Sequence, residues 1–145
     1  MEKQSGGFQI STDSRGTHLE VWGGTLEELF SHALSAVASI ATSDVLQLAR
    51  KTKKIREEIT VQAVDINSML IEFLSEVISR MSMGNAAFTR VSFQEFGENF
   101  LSGTLEGALI NAPEHEVQEI VDDSINIKKN TETGFFETPI TMIIA

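Results

Sequence analysis

The chain has 145 residues, 41% of them hydrophobic and 22% charged, with a formal net charge of −10, values that fit one soluble globular domain spanning 1–145. A chain of this length can bury about 70% of the surface it exposes when unfolded. The complete lack of Cys excludes disulfides, thiolate zinc sites and cysteine nucleophiles, the acidic balance opposes direct nucleic-acid binding, and no run reaches the roughly 18–20 apolar residues of a membrane span.

The opening residues MEKQSGGFQ contain no apolar core of the kind a secretion signal carries, so a cytoplasmic address is expected by elimination. FQI (8–10) and THLEVW (17–22) read as two short strands. In the second, Leu19 and Val21 alternate with His18 and Glu20. Asp13 to Gly16 supplies the turn, since Asp and Ser bond the local backbone and Gly tolerates positive φ. Gly23-Gly24 ends the second strand.

A first helix begins at Thr25, where Thr25-Leu26-Glu27-Glu28 forms a capping box. Its apolar stripe is Leu26, Leu29, Phe30, Ala33, Leu34, Val37 and Ala41. Residues 43–52 are polar and without clear period. Five of the eleven basic residues, Arg50, Lys51, Lys53, Lys54 and Arg56, gather near here, as either a solvated loop and strand edge or a docking patch for an acidic or phosphate-bearing partner. KIREEITVQAV (54–64) alternates Ile59, Val61 and Ala63 inward as a half-wet strand. Asp65 caps a second helix whose buried stripe is Ile66, Met69, Leu70, Phe73, Leu74, Val77 and Met81.

Gly84-Asn85 ends that helix. AFTRVSFQEF (87–96) and NFLSGTLEGAL (99–109) make a hairpin across a tight Gly97-Glu98 turn. Pro113 keeps the next stretch, INAPEHE, out of a central strand. VQEIVDDSINIKK (117–129) reads as a strand, followed by a turn at Thr133-Gly134 and a last strand, FFETPITMIIA. The order β-β-α-β-α-β-β-β-β predicts an α+β two-layer domain, a mostly antiparallel sheet covered on one face by two helices.

No Walker loop, dinucleotide glycine fingerprint or nucleophile elbow is present. Among the three His, His18 reads as an exposed strand residue and His32 lies on the polar edge of the first helix. None pairs with another ligand at helical spacing. Asp122-Asp123 sits inside a predicted strand, where Asp is disfavoured and neighbours point to opposite faces, so at most one of them can join Asp13. Either a bulge or strand end exposes both, or one helps build a hard-cation site for calcium or magnesium.

Taken together, these stretches resemble the archease family, small proteins that assist the RtcB-type RNA ligase of tRNA splicing and RNA repair. The resemblance runs from about residue 8 to 144. FQISTD occupies the place of the family's F-E-H-T-A-D, which makes Asp13 the counterpart of its metal-binding Asp and puts Ile10 where its His stands. GGTLEELFSHALSAV and VDINSMLIEFLSEVI match the two family helices, and NAPEHEVQEIVDDSINI has the frame of its later loop and strand, carrying His115.

Within that frame Gln118 replaces the family Lys, Val121-Asp122-Asp123 replaces Thr-Tyr-His, and TMIIA stands where the family's terminal metal-binding Asp is expected. The resemblance thus implies a non-enzymatic accessory protein with an RtcB-type RNA ligase as partner. It also implies a divalent cation (Ca2+ or Mg2+) at Asp13; the unusual in-strand acids suggest Asp122 or Asp123 as replacement ligand if that strand runs beside the first. Gln118 and His115 take the partner-facing positions. Two other readings stand beside it. One is a metal-free interaction or assembly module on the same scaffold, self-association included. The other is a small hydrolase using Asp13, His18 and Asp123, for which no activated nucleophile is visible.

Overall fold

The structure, a computed structural model, describes residues 7–41, 54–110 and 116–144. Strands β1 (Phe8–Asp13) and β2 (Gly16–Gly23) form the first hairpin, followed by helix α1 (Leu26–Ala41). Strand β3 (Lys54–Gln62), helix α2 (Ile66–Gly84) and strands β4 (Ala86–Phe96) and β5 (Phe100–Leu109) come next. Short strands β6 (Val117–Ile120) and β7 (Lys128–Lys129) flank a 3-10 turn at Asp122–Ser124, and β8 (Phe136–Ile144) closes the described chain.

Both helix starts are held as their sequences dictate. The Thr25 hydroxyl accepts the Glu28 N–H at 3.1 Å, and the Glu28 carboxylate reaches one residue further back than a standard capping box, to the Gly24 N–H at 3.0 Å. Asp65 accepts the Ser68 N–H at 2.8 Å and caps α2. Gly84 remains helical, and the helix is ended by Asn85, left-handed at φ 48°, whose N–H returns to the Met81 carbonyl.

The α+β class with antiparallel pairing is the one expected, but the strands divide into two sheets. One has the order β1-β2-β8-β6 with β7 also paired to β8; the other is β3-β5-β4. The stripes of α1 and α2 and the inner faces of both sheets share one core that includes Leu19, Phe30, Leu34, Phe73, Leu105 and Ile140. Around Phe30 the aromatic rings interlock, with centroids 5.6 Å from Phe73 and 5.0 Å from Phe96. Leu26, expected in the stripe, is only partly buried, whereas Ala36, Ala38 and Ile40 widen it. Strand β4 is bulged beyond Phe88 and Phe93, and each of these faces a glycine, Gly107 and Gly103.

Two further details differ from the sequence expectation. The β4–β5 hairpin turns at Glu98-Asn99, because the Gly97 N–H already bonds the Phe100 carbonyl at 2.8 Å. The stretch 117–129 is a broken strand: after Ile120 the chain bends at Asp122–Ser124, residues that satisfy their backbone locally better than in a ladder. Ser124 Oγ caps that bend by donating to the Val121 carbonyl at 2.5 Å. The same bend accommodates Pro139 in central strand β8. The ladder to β6 stops at Met142 and that to β7 starts at Glu137, so on that side Pro139 has no partner awaiting an N–H.

Candidate functional site at the first hairpin

Asp13 ends β1 and pairs with Gly16, leaving Ser14 and Arg15 as a two-residue loop. Its Oδ1 accepts the Arg15 N–H at 2.7 Å, the local bond that makes Asp a turn residue. Gly16 sits at φ 142°, and a Cβ there would lie 2.7 Å from the Met142 carbonyl oxygen. Only a residue without a side chain lets the hairpin end press this closely on β8.

The register places His18 opposite Ser11, one diagonal step from Asp13 on the same face. His18 Nε2 lies 3.0 Å from the same Asp13 Oδ1, and its Nδ1 lies 3.1 Å from Thr141 Oγ1. An ionised carboxylate only accepts, so Nε2 carries the proton and donates; with the ring neutral, Nδ1 accepts the Thr141 hydroxyl proton. The hydrogen bond from His18, and secondarily that from the Arg15 N–H, holds the Asp13 carboxyl below its ordinary value. Both side chains remain accessible, 33% for His18 and 55% for Asp13.

Thr141 anchors the row. Its N–H donates to Ser124 Oγ at 2.9 Å, and its carbonyl accepts the Val121 N–H at 2.9 Å. Beside the hairpin end lies an open cleft of about 690 Å³ lined by Ile10, Thr12, Asp13, Arg15, Ile40 and Ile143 among others.

Hydroxyl, imidazole and carboxylate here stand in the order nucleophile, base, orienter, as hydrolysis would require. The backbone N–H next to the hydroxyl is already spent on Ser124, so it is not a donor for a developing oxyanion. Asp123, the second carboxylate of the hydrolase reading, follows β6, on the opposite side of β8 from His18.

A divalent cation of the calcium or magnesium type wants several convergent oxygens, and the residues present do not fit one. Asp13 offers a carboxylate whose Oδ1 is already approached by two N–H donors. The β8 residue in line with Asp13 and Gly16 is Ile143, whose Cδ1 lies 3.8 Å from where a Cβ on Gly16 would be. Among the described residues no three His, Asp or Glu gather as a metal set. The condition for Asp122 or Asp123 to join Asp13 also fails, because β2 and β8 lie between β1 and β6. At about 4.8 Å per strand, that is roughly 14 Å of backbone.

Gln118 lies exposed on β6 and shares with Asp122 a groove against α2 that includes Ser75, Ser79 and Met83. His115 lies outside the described residues, as do Pro113 and, of the basic run, Arg50, Lys51 and Lys53; Lys54 and Arg56 are exposed on β3. His32, half-buried, bonds the Trp22 carbonyl through Nδ1 at 2.6 Å and is structural. Sequence reasoning set His18 beside Asp13 only in the hydrolase reading; it missed Thr141 and the hydrogen bond by which His18 orients the Asp13 carboxylate. The available signal was the hairpin register, which makes residues 13 and 18 diagonal neighbours.

The model of the Archease protein family (MTH1598/TM1083) matches residues 16–130. A Thermotoga maritima protein described as an archease and possible chaperone (TM1083) superposes with a TM-score of 0.64 at 13% identity, covering 99% of this chain and 97% of its own. Protein 1598 of Methanobacterium thermoautotrophicum superposes with a TM-score of 0.63 at 21% identity, covering 95% and 99%. At these identities the two structures speak for the fold. No curated protein matches the chain. Among the described residues no helix is long and apolar enough to cross a membrane.

Proposed function

The chain belongs to the archease family, and from that premise we propose that it is a non-enzymatic accessory protein for an RtcB-type RNA ligase in the cytoplasm. It would engage the enzyme with the end of its first hairpin and promote repeated turnover. The observation that carries this is the exposed carboxylate of Asp13, at the family's functional position and locked in one orientation by His18 and the Arg15 N–H. A net charge of −10 suits a basic, phosphate-handling enzyme surface better than RNA itself. Gln118, exposed beside Asp122 in the groove against α2, is proposed as partner-facing, the role the resemblance also gives His115.

The test is a ligase multiple-turnover assay with and without the chain. Stimulation of product formation beyond one equivalent of enzyme supports the assignment. Tight complex formation with no change in turnover favours the second reading, an interaction module, which the unconverged Asp13, Asp122 and Asp123 carboxylates also accommodate. Neither binding nor stimulation overturns both.

A further inference from the structure

We infer that in this chain the His18 ring stands in for a divalent cation at the hairpin end, so that Asp13 is oriented by protein donors alone. The inference rests on the family assignment for the importance of that position, and on geometry for the rest. A cation would order the carboxylate and supply positive charge beside it. Here Nε2–H of His18 at 3.0 Å and the Arg15 N–H at 2.7 Å fix Oδ1 from two directions. Thr141 holds the ring from behind at 3.1 Å, and Thr141 is itself pinned to Ser124.

The surroundings have changed in the same sense. A cation at Oδ1 would face a ring N–H, whose positive end repels it, and would have to displace both existing donors. In the hairpin row, Ile143 puts a methyl group beside Gly16 where a ligand oxygen would be needed to complete coordination. The hydroxyl that shares this face with Asp13 and His18, that of Ser11 opposite His18, is neutral and brings no compensating charge. One carboxylate helped only by neutral oxygens leaves a doubly charged ion under-neutralised.

The consequence is a tip whose geometry does not depend on calcium or magnesium. The experiment uses the full chain and its Asp13→Ala variant, each titrated with calcium, magnesium and manganese chlorides by calorimetry and followed by thermal unfolding at millimolar cation. The expected result is identical heats for the two proteins and no cation-dependent rise in melting temperature, because a ligand of the folded form alone would raise it. A third readout is the His18 Nε2 resonance in long-range 15N NMR, which should stay in place on adding calcium. A saturable heat or a melting-temperature rise in the parent that Asp13→Ala abolishes overturns the inference, as does a saturable shift of the His18 signal. All three readouts use the isolated chain, so failure here is distinct from a failure to stimulate a ligase.

Discussion

His18 Nε2 and Asp13 Oδ1 stand 3.0 Å apart across the first hairpin, a diagonal contact set by the pairing of Ser11 with His18 and Asp13 with Gly16. Two-residue loops leave little freedom in register, so the contact is built into the hairpin rather than added to it. It follows that the pair responds to changes in the hairpin and in Thr141, the residue that orients the ring from the other side.

The first prediction concerns titration. Asp13 is depressed chiefly by His18 and then by the Arg15 N–H, so His18→Ala should let its carboxyl rise part of the way to the ordinary value of 3.8. The rise is partial because the backbone donor survives. A carboxyl whose folded value is lowered stabilises the fold fully above its unfolded pKa, and that contribution is lost as pH falls through the folded value. The acid limb of unfolding below about pH 4 should therefore flatten slightly in Asp13→Asn and in His18→Ala. Carboxyl 13C shifts measured against pH check the first statement, and acid unfolding curves the second.

The second prediction separates a cap from a charge. Asp65 is depressed by the Ser68 N–H and then by the Ser68 side chain, the signature of an N-cap on α2. Asp65→Ala should lower the melting temperature, whereas Asp65→Asn should recover most of it at neutral pH because the side-chain oxygen remains. The sign with pH is the same as for Asp13: the Asp-specific advantage disappears as the carboxyl protonates below about pH 4. Equal melting temperatures for the Ala and Asn variants would count against the capping account.

The third prediction tests the core. Phe73 is fully buried between Phe30, at 5.6 Å, and Phe93, at 5.9 Å. Phe73→Ala should cost about 3–5 kcal/mol, the range for deleting a buried aromatic ring whose cavity cannot fully collapse. Denaturant unfolding measures it, and a loss below about 1 kcal/mol would contradict this packing.

How much of this was legible beforehand varies with the physics involved. The helices were, because Thr25 and Asp65 are capping residues followed by stripes at helical spacing, signals contained within a few neighbouring residues. The Asp122–Ser124 bend was half legible: two Asp in succession argue against a strand, but apolar residues at Val117, Ile120, Val121 and Ile125 imitate one. The split into two sheets was not, since strand order depends on long-range pairings such as Leu19 with Ile140 that no local pattern encodes. At the candidate site, Asp13 was visible as a turn residue and family counterpart. Thr141 was invisible, because 123 positions separate it from His18.

The last prediction sets two glycines against each other. A Cβ on Gly107 would lie 2.0 Å from the Ala87 carbonyl oxygen and 2.7 Å from the Phe88 Cα, both rigid backbone atoms. Strand β5 approaches β4 this closely just before the bulge beyond Phe88, which lets the buried Phe88 ring reach the core. Gly107→Ala must push the two strands apart, and should destabilise by about 1–3 kcal/mol or more, as overpacking does. Gly84 is the opposite case. It lies within α2, and a Cβ there meets nothing within 4 Å. Gly84→Ala should stabilise by about 0.4–1 kcal/mol, because alanine restricts the unfolded chain and suits a helix. Urea unfolding of the two variants beside the parent should move the midpoint in opposite directions; a shift in the same direction would mean that the β4–β5 approach or the helical end at Gly84 is not as described.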